Sequence, residues 1–179
     1  MTFDLVVVLE FGFLLAMIFA AVRDLAAWSL PNWLNISVAL GYFAWAWASG
    51  AGWSAVGWSS AAGLLVLAVG YLLFTINLWG AGDGKMGAAV ALWIGLNLEL
   101  LRFFLVVSLA GGVLAVAALL IHAATGQPQL PPGDPNAEAA RRNPLKAKAR
   151  YGAAIAIGGL DYWVRHSQAV CFFSGCGAG

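Results

Sequence analysis

Two aspartates in this chain, Asp24 and Asp83, are candidates for catalysis because of their residue type and their positions. Asp83 lies in the stretch GAGDGK, at the end of a long apolar run, and Asp24 follows another apolar run near the N-terminus. The chain has only eight acidic residues, and carboxylates are costly near lipid, so acids at such positions are candidates for function. Two carboxyls brought together cannot both ionise cheaply, so we expect the pair to hold one shared proton.

A carboxyl pair that shares one proton can act as acid and base in the same reaction. The ionised partner takes a proton from water while the protonated partner polarises a carbonyl, which is the division of labour in aspartic proteases. This chemistry needs no cofactor and no metal. The two histidines, His122 and His166, also lack ligand-like spacing with either aspartate, so the sequence predicts no metal site.

The composition places these acids in a membrane. Hydrophobic residues make up 62% of the 179 residues and charged residues 9%, against about a quarter charged in a typical soluble domain. Such a chain cannot cover a water-facing surface with polar groups, so its principal surroundings are the lipid bilayer. The net charge of +1 favours neither a nucleic-acid partner nor an acidic one.

Hydropathy predicts an all-α, polytopic membrane protein with about six transmembrane helices in a single domain. Each span needs about 20 apolar residues. We predict a break at Pro31, with Asn32 as the N-cap of the second helix, and a cytoplasmic loop at 127–150 with no fold of its own. The predicted spans are residues 3–22, 33–51, 56–79, 84–98, 100–122 and 151–173.

Basic residues predict how the spans are oriented, because short cytoplasmic loops retain Lys and Arg. Most of the nine basic residues fall at helix ends on one side, namely Arg23, Lys85, Arg141, Arg142, Lys146, Lys148 and Arg150. We therefore expect the N-terminus outside and the 127–150 loop in the cytoplasm. This topology brings Asp24 and Asp83 to the same, cytoplasmic, membrane face.

The predicted fourth span is short, which bears on the depth of Asp83. About 15 residues cover roughly 22 Å, less than the ~30 Å of a hydrocarbon core. We therefore expect Asp83 slightly inside the membrane, at a water-filled indentation just before this helix. Taken singly, either aspartate could equally be an ordinary boundary charge, and Lys85 an ordinary inner-face charge. The glycines around Asp83 and the matched depth of the two acids favour a site.

Three segments resemble motifs of the prepilin peptidases. Asp24, six residues and then Pro31-Asn32 resemble their first aspartate motif, and Gly80–Lys85 resembles their Gly-x-Gly-Asp-x-Lys motif. The segment Tyr151–Gly159 resembles the small-residue motif of their last helix. The resemblance implies a GxGD intramembrane aspartyl peptidase with Asp24 and Asp83 as its catalytic pair. It implies support of the site from Gly80, Gly82, Gly84, Lys85, Pro31 and Asn32.

Peptidases of this family remove the basic leader of type IV prepilins at the cytoplasmic side of the bacterial inner membrane. The compact length resembles the TadV/CpaA-like branch that serves Flp pili. Larger members carry paired CxxC motifs and an N-methyltransferase activity, whereas this chain has only Cys171 and Cys176, so we expect no methylation. The alternative is a small proton-coupled transporter with Asp24 and Asp83 as proton carriers, but the sequence shows no internal repeat of the kind that transporters often have.

Two further sets of polar residues are predicted to be structural. Asp161 and Arg165 are four residues apart, so on a helix they form an i,i+4 ion pair. Glu10 lies inside the first predicted span, where we expect it to face the helix bundle and serve packing rather than catalysis.

Overall fold

The computed structural model describes residues 2–27, 30–76, 79–125 and 151–167. These residues form six α-helices and no strand, and 90% of them are helical. The all-α prediction is confirmed. The helices are α1 Thr2–Ala27, α2 Asn32–Ala48, α3 Trp53–Thr75, α4 Ala81–Ile94, α5 Leu98–Thr125 and α6 Tyr151–His166.

The chain is a membrane protein. Among the described residues, three helices are long and apolar enough to cross a bilayer: α1, α3 and α5. Their outward faces carry large apolar side chains such as Leu15, Leu64 and Leu109, each more than 60% exposed, a surface that suits lipid rather than water. The other three helices are shorter, with 17, 14 and 16 residues. The six spans and their orientation stay predictions.

Two helix boundaries change how the aspartates are held. Helix α1 continues to Ala27, since no proline or glycine follows the predicted end at residue 22 until Pro31, so Asp24 lies inside its last turns. Helix α4 begins at Ala81 and holds Asp83 in its first turn, whereas we expected the helix to start after this residue. A carboxylate in the first turn is favourable because the helix dipole is positive there.

Some predicted features fall outside the described residues. These are the 127–150 loop, the two cysteines and the end of the predicted last span at residue 173. Helix α6 ends at His166.

Helices α4 and α6 form the centre of the bundle. Helix α4 packs against α2, α3 and α6, while α6 also packs against α1 and α5. Both central helices bury mainly alanine and glycine. Small side chains let helix backbones approach closely. In lipid, where the hydrophobic effect does not drive helices together, close van der Waals packing of this kind stabilises helix association. This packing places the helix ends that carry the aspartates at the same end of the bundle.

The closest approach is between α3 and α4 at a pair of glycines. A Cβ atom placed on Gly70 would lie 3.0 Å from the Cα of Gly84, so the two backbones are in direct contact. One helix turn further along α4, a Cβ on Gly63 would lie 3.3 Å from the Ala88 carbonyl oxygen. The first turn of α4, with Asp83, is therefore fixed against α3 by backbone rather than by adjustable side chains.

We expect Gly70→Ala to lower the free energy of unfolding by about 1–3 kcal/mol, because the new methyl group has no space between the two backbones. The matched control is Gly57→Ala on the same helix, where an added Cβ meets nothing within 4 Å and alanine favours the helix. Denaturant titration of both variants in detergent measures the difference. Equal stability of the two variants would contradict the close contact.

Candidate active site

The site lies at one end of the bundle, where α1 and α3 end and α2, α4 and α6 begin. We call this the site end. Three contacts define it across helices. Asp24 of α1 is bonded to Ala153 of α6, Lys85 of α4 is bonded to Asn32 of α2, and the rings of Trp79 and Tyr151 lie 6.2 Å apart.

Asp24 is buried, with 5% of its surface exposed. Its Oδ2 accepts a hydrogen bond of 2.8 Å from the backbone N–H of Ala153. Ala153 lies in the first turn of α6, where N–H groups have no partner within the helix. Asp24 therefore caps the N-terminus of α6, and the positive end of that helix faces the carboxylate.

Gly152 leaves the space that the Asp24 carboxyl group occupies. A Cβ on Gly152 would lie 2.8 Å from Asp24 Cγ and 3.0 Å from both Asp24 Oδ1 and Leu30 Cδ1. Even alanine would therefore displace the carboxyl group. The small-residue segment Tyr151–Gly159 therefore contributes directly to the position of the Asp24 carboxyl group.

Asp83 is also buried, with 9% of its surface exposed. It follows Gly80, the N-cap of α4, which has extended backbone angles of φ −74° and ψ 145°. Gly84 packs on Gly70, and an added Cβ on Gly82 would lie 3.5 Å from Leu30 Cβ. Each glycine around Asp83 thus either begins the helix or allows a neighbouring chain to approach.

Leu30 connects the two halves of the site. This buried residue lies beside Gly152, which adjoins the Asp24 carboxyl group, and beside Gly82, which precedes Asp83. The fold therefore brings both predicted catalytic residues to the site end on segments that share Leu30 as a neighbour. Leu30 lies inside the first motif, directly before Pro31, and no sequence signal distinguishes it from other leucines.

A family comparison matches this part of the chain. The model of the type IV leader peptidase family matches residues 11–116, which is more than half of the chain and includes both Asp24 and Asp83. The protein belongs to the type IV leader peptidase family. Searches of curated proteins and of solved structures found no match.

In this leader peptidase, the segment before α2 differs in detail from the prediction. Pro31, not Asn32, is the N-cap of α2, with φ −70° and ψ 142°. Asn32 is the first helical residue, and its Oδ1 accepts a hydrogen bond of 3.0 Å from Lys85 Nζ. The amide of Asn32 therefore holds the lysine of the Gly-x-Gly-Asp-x-Lys segment instead of capping its own helix.

Asn35 is a site residue that sequence reasoning missed. Its side chain is 5% exposed, and its Nδ2 lies 3.5 Å from the carbonyl oxygen of Gly82, the residue before Asp83. A signal was available in the sequence. Asn35 lies one helical turn after Asn32, on the side of α2 that faces α4.

The peptidase shows no metal centre in the described ranges. Within residues 2–27, 30–76, 79–125 and 151–167, no three His, Cys, Asp or Glu side chains are close enough together to hold an ion.

Among the described residues one further acid is buried, Glu10, which lies at the opposite end of the peptidase. It is 4% exposed, as expected for a residue facing the bundle, and its Oε1 accepts a hydrogen bond from Trp45 Nε1. Glu10 and Asp24 are 14 residues apart on α1, which corresponds to roughly 21 Å. At the same end, Arg165 pairs with Asp161 at 2.7 Å, as predicted, and also with Glu99. These groups connect helices α1, α2, α5 and α6 far from the site.

We expect Gly152→Ala to reduce leader cleavage at least about tenfold, because the added methyl group would displace the carboxyl group of Asp24, a predicted catalytic residue, and a shift of about 1 Å can cost a large factor in rate. The control is Gly112→Ala on α5, where an added Cβ meets nothing within 4 Å. Initial rates of leader removal in detergent or proteoliposomes measure the effect, with folding checked by thermal unfolding. Full activity of Gly152→Ala would contradict the position of Asp24.

Proposed function

We propose that this protein is an intramembrane aspartyl endopeptidase of the GxGD type, with Asp24 and Asp83 as its catalytic pair. The observation that supports this most is the placement of both buried aspartates at one end of the bundle, on segments joined by Leu30. The family match, which spans both residues, supplies the class of reaction.

The proposed reaction is the addition of water to a peptide carbonyl. The ionised aspartate takes one proton from the attacking water while the protonated aspartate donates its proton to the carbonyl oxygen, giving a tetrahedral intermediate. When the C–N bond breaks, a proton passes to the leaving amine and the carbonyl re-forms. The products are a carboxyl terminus and a free amino terminus, and the pair again holds one proton.

The proposed substrate is a Flp-type prepilin, cut between its basic leader and its apolar helix at the cytoplasmic face of the bacterial inner membrane. The site end is the end that carries Arg23 and Lys85, and α6 begins there, directly after the basic 127–150 segment of the sequence. Basic residues of this kind are typical of the cytoplasmic side. A leader that stays in the cytoplasm would reach this end.

We expect Asp24→Asn and Asp83→Asn each to lower leader removal by a factor of about 10² to 10⁴, because each removes one partner of the acid–base pair. Gel mobility of a co-expressed Flp-type prepilin, with pulse labelling for the rate, measures cleavage. The control is Asp4→Asn, an exposed carboxyl near the start of α1, which should leave cleavage unchanged. Normal processing by either site variant, with the protein in the membrane, would refute the assignment.

We also expect the mature pilin to carry an unmethylated amino terminus. The chain has no pair of CxxC motifs, since its two cysteines are separated by four residues. Mass spectrometry of the mature pilin's N-terminal peptide, from cells whose only leader peptidase is this protein, tests the point. An N-methylated terminus in those cells would contradict it.

A further inference from the structure

A groove runs along α4 between α2 and α3, beginning at the site end. Both neighbouring helices pack on α4, and the space between them has a volume of about 720 Å³. Its lining is apolar over most of its length. The groove is formed by Ile36 and Phe43 of α2, Leu64 and Leu67 of α3, and Ala88 and Ala89 of α4.

Apart from Ser60 of α3, the polar side chains that line the groove lie at the site end. Asn32, Asn35 and Lys85 line it there, and Lys85 follows Asp83 by two residues. The hydrogen bond between Lys85 Nζ and Asn32 Oδ1 joins the two sides of the groove at this point. A ligand lying along the groove would therefore pass from polar surroundings near Asp83 to apolar surroundings further along α4.

Asn35, which lines this polar end, has a buried acceptor without a partner. Its Nδ2 faces the Gly82 carbonyl oxygen, so the amide must turn its Oδ1 away from that acceptor. Oδ1 is buried and has no hydrogen-bond partner among the described residues. A buried acceptor without a donor is unfavourable, so this atom is suited to a ligand that brings an N–H group.

We propose, resting on the function proposed above, that this groove binds the start of the prepilin's apolar segment and that Asn35 Oδ1 accepts a hydrogen bond from a backbone N–H of the substrate beside Asp83. A helical peptide uses its N–H groups within the helix, so the bond to be cut must first be unwound. Unwinding at membrane depth leaves an N–H that needs an acceptor, and Asn35 supplies one. Lys85 has further N–H donors for a substrate carbonyl.

The dimensions of the groove fit this occupant. Asn32 and Phe43 mark its two ends on α2 and are 11 residues apart, which corresponds to roughly 16 Å. That length holds about five extended residues or about ten helical ones. The change from polar to apolar lining along the groove also matches the substrate, because a prepilin passes from a polar leader to an apolar helix.

Cross-linking along α3 tests the location of the substrate. A photoreactive phenylalanine analogue is placed at Leu64, which lines the groove, or at Leu65, which is similarly exposed but does not line it. The Asp24→Asn background keeps the prepilin uncleaved. We expect adducts with the prepilin from position 64 at least about fivefold above those from position 65. Equal yields from the two positions, or no adduct from position 64, would overturn the proposal that the prepilin binds in the groove.

Substitution of Asn35 tests the hydrogen bond. Asn35→Leu keeps the branched shape of the side chain and removes both the acceptor and the donor to Gly82, so we expect kcat/KM for the Flp-type prepilin to fall about tenfold, mainly through a higher KM. Asn35→Thr restores a hydroxyl acceptor and should recover part of the loss. Unchanged kcat/KM in Asn35→Leu would overturn the role of Asn35. A lower melting temperature with an unchanged KM would also overturn it, since that pattern belongs to a structural residue.

These outcomes separate the groove from the proposed function. Normal processing by Asp24→Asn or Asp83→Asn would refute the peptidase assignment itself. The other outcome is loss of processing in those variants, together with equal cross-link yields from positions 64 and 65 and an unchanged kcat/KM in Asn35→Leu. That outcome would leave the peptidase assignment intact and refute only the proposed binding of substrate in the groove.

Discussion

Burying a carboxylate in an apolar bundle is the constraint on which the rest of this structure depends. An unpaired charge in such surroundings is costly, and helix N-termini offer N–H donors and a positive dipole that reduce the cost. Asp24 uses the N-terminus of α6 through Ala153, and Asp83 lies in the first turn of α4. The site therefore requires two helices to begin at the same end of the bundle.

Glycine residues allow the helix ends that carry the aspartates to pack closely against their neighbours. Gly152 lets the start of α6 reach the Asp24 carboxyl group, and Gly70 and Gly84 place the backbones of α3 and α4 in contact. At Gly70 and Gly84 the fit is between main chains, which cannot change rotamer to relieve a clash. Stability and the placement of the aspartates consequently depend on the same small residues.

Helix α4 contributes to both the proposed acid pair and the proposed substrate groove. Its first turn carries Asp83, and its alanine face forms the floor of the groove between α2 and α3. A peptide bound there would be delivered to the acid pair at the point where lining residues change from apolar to polar. The Asn32–Lys85 and Asn35–Gly82 contacts join α2 to the same turn of α4, so binding in the proposed groove would act directly on the position of Asp83.

The sequence by itself determined the all-α membrane character and pointed to Asp24 and Asp83, because hydropathy and glycine-rich motifs are local properties of the chain. It also predicted the Asp161–Arg165 pair, which depends only on helical spacing. Only the tertiary structure decided that Ala153 binds Asp24, that Asn32 holds Lys85 rather than capping α2, and that Asn35 faces Gly82. Those partners are 129, 53 and 47 residues apart. No local pattern specifies such contacts, since they arise only when the helices pack.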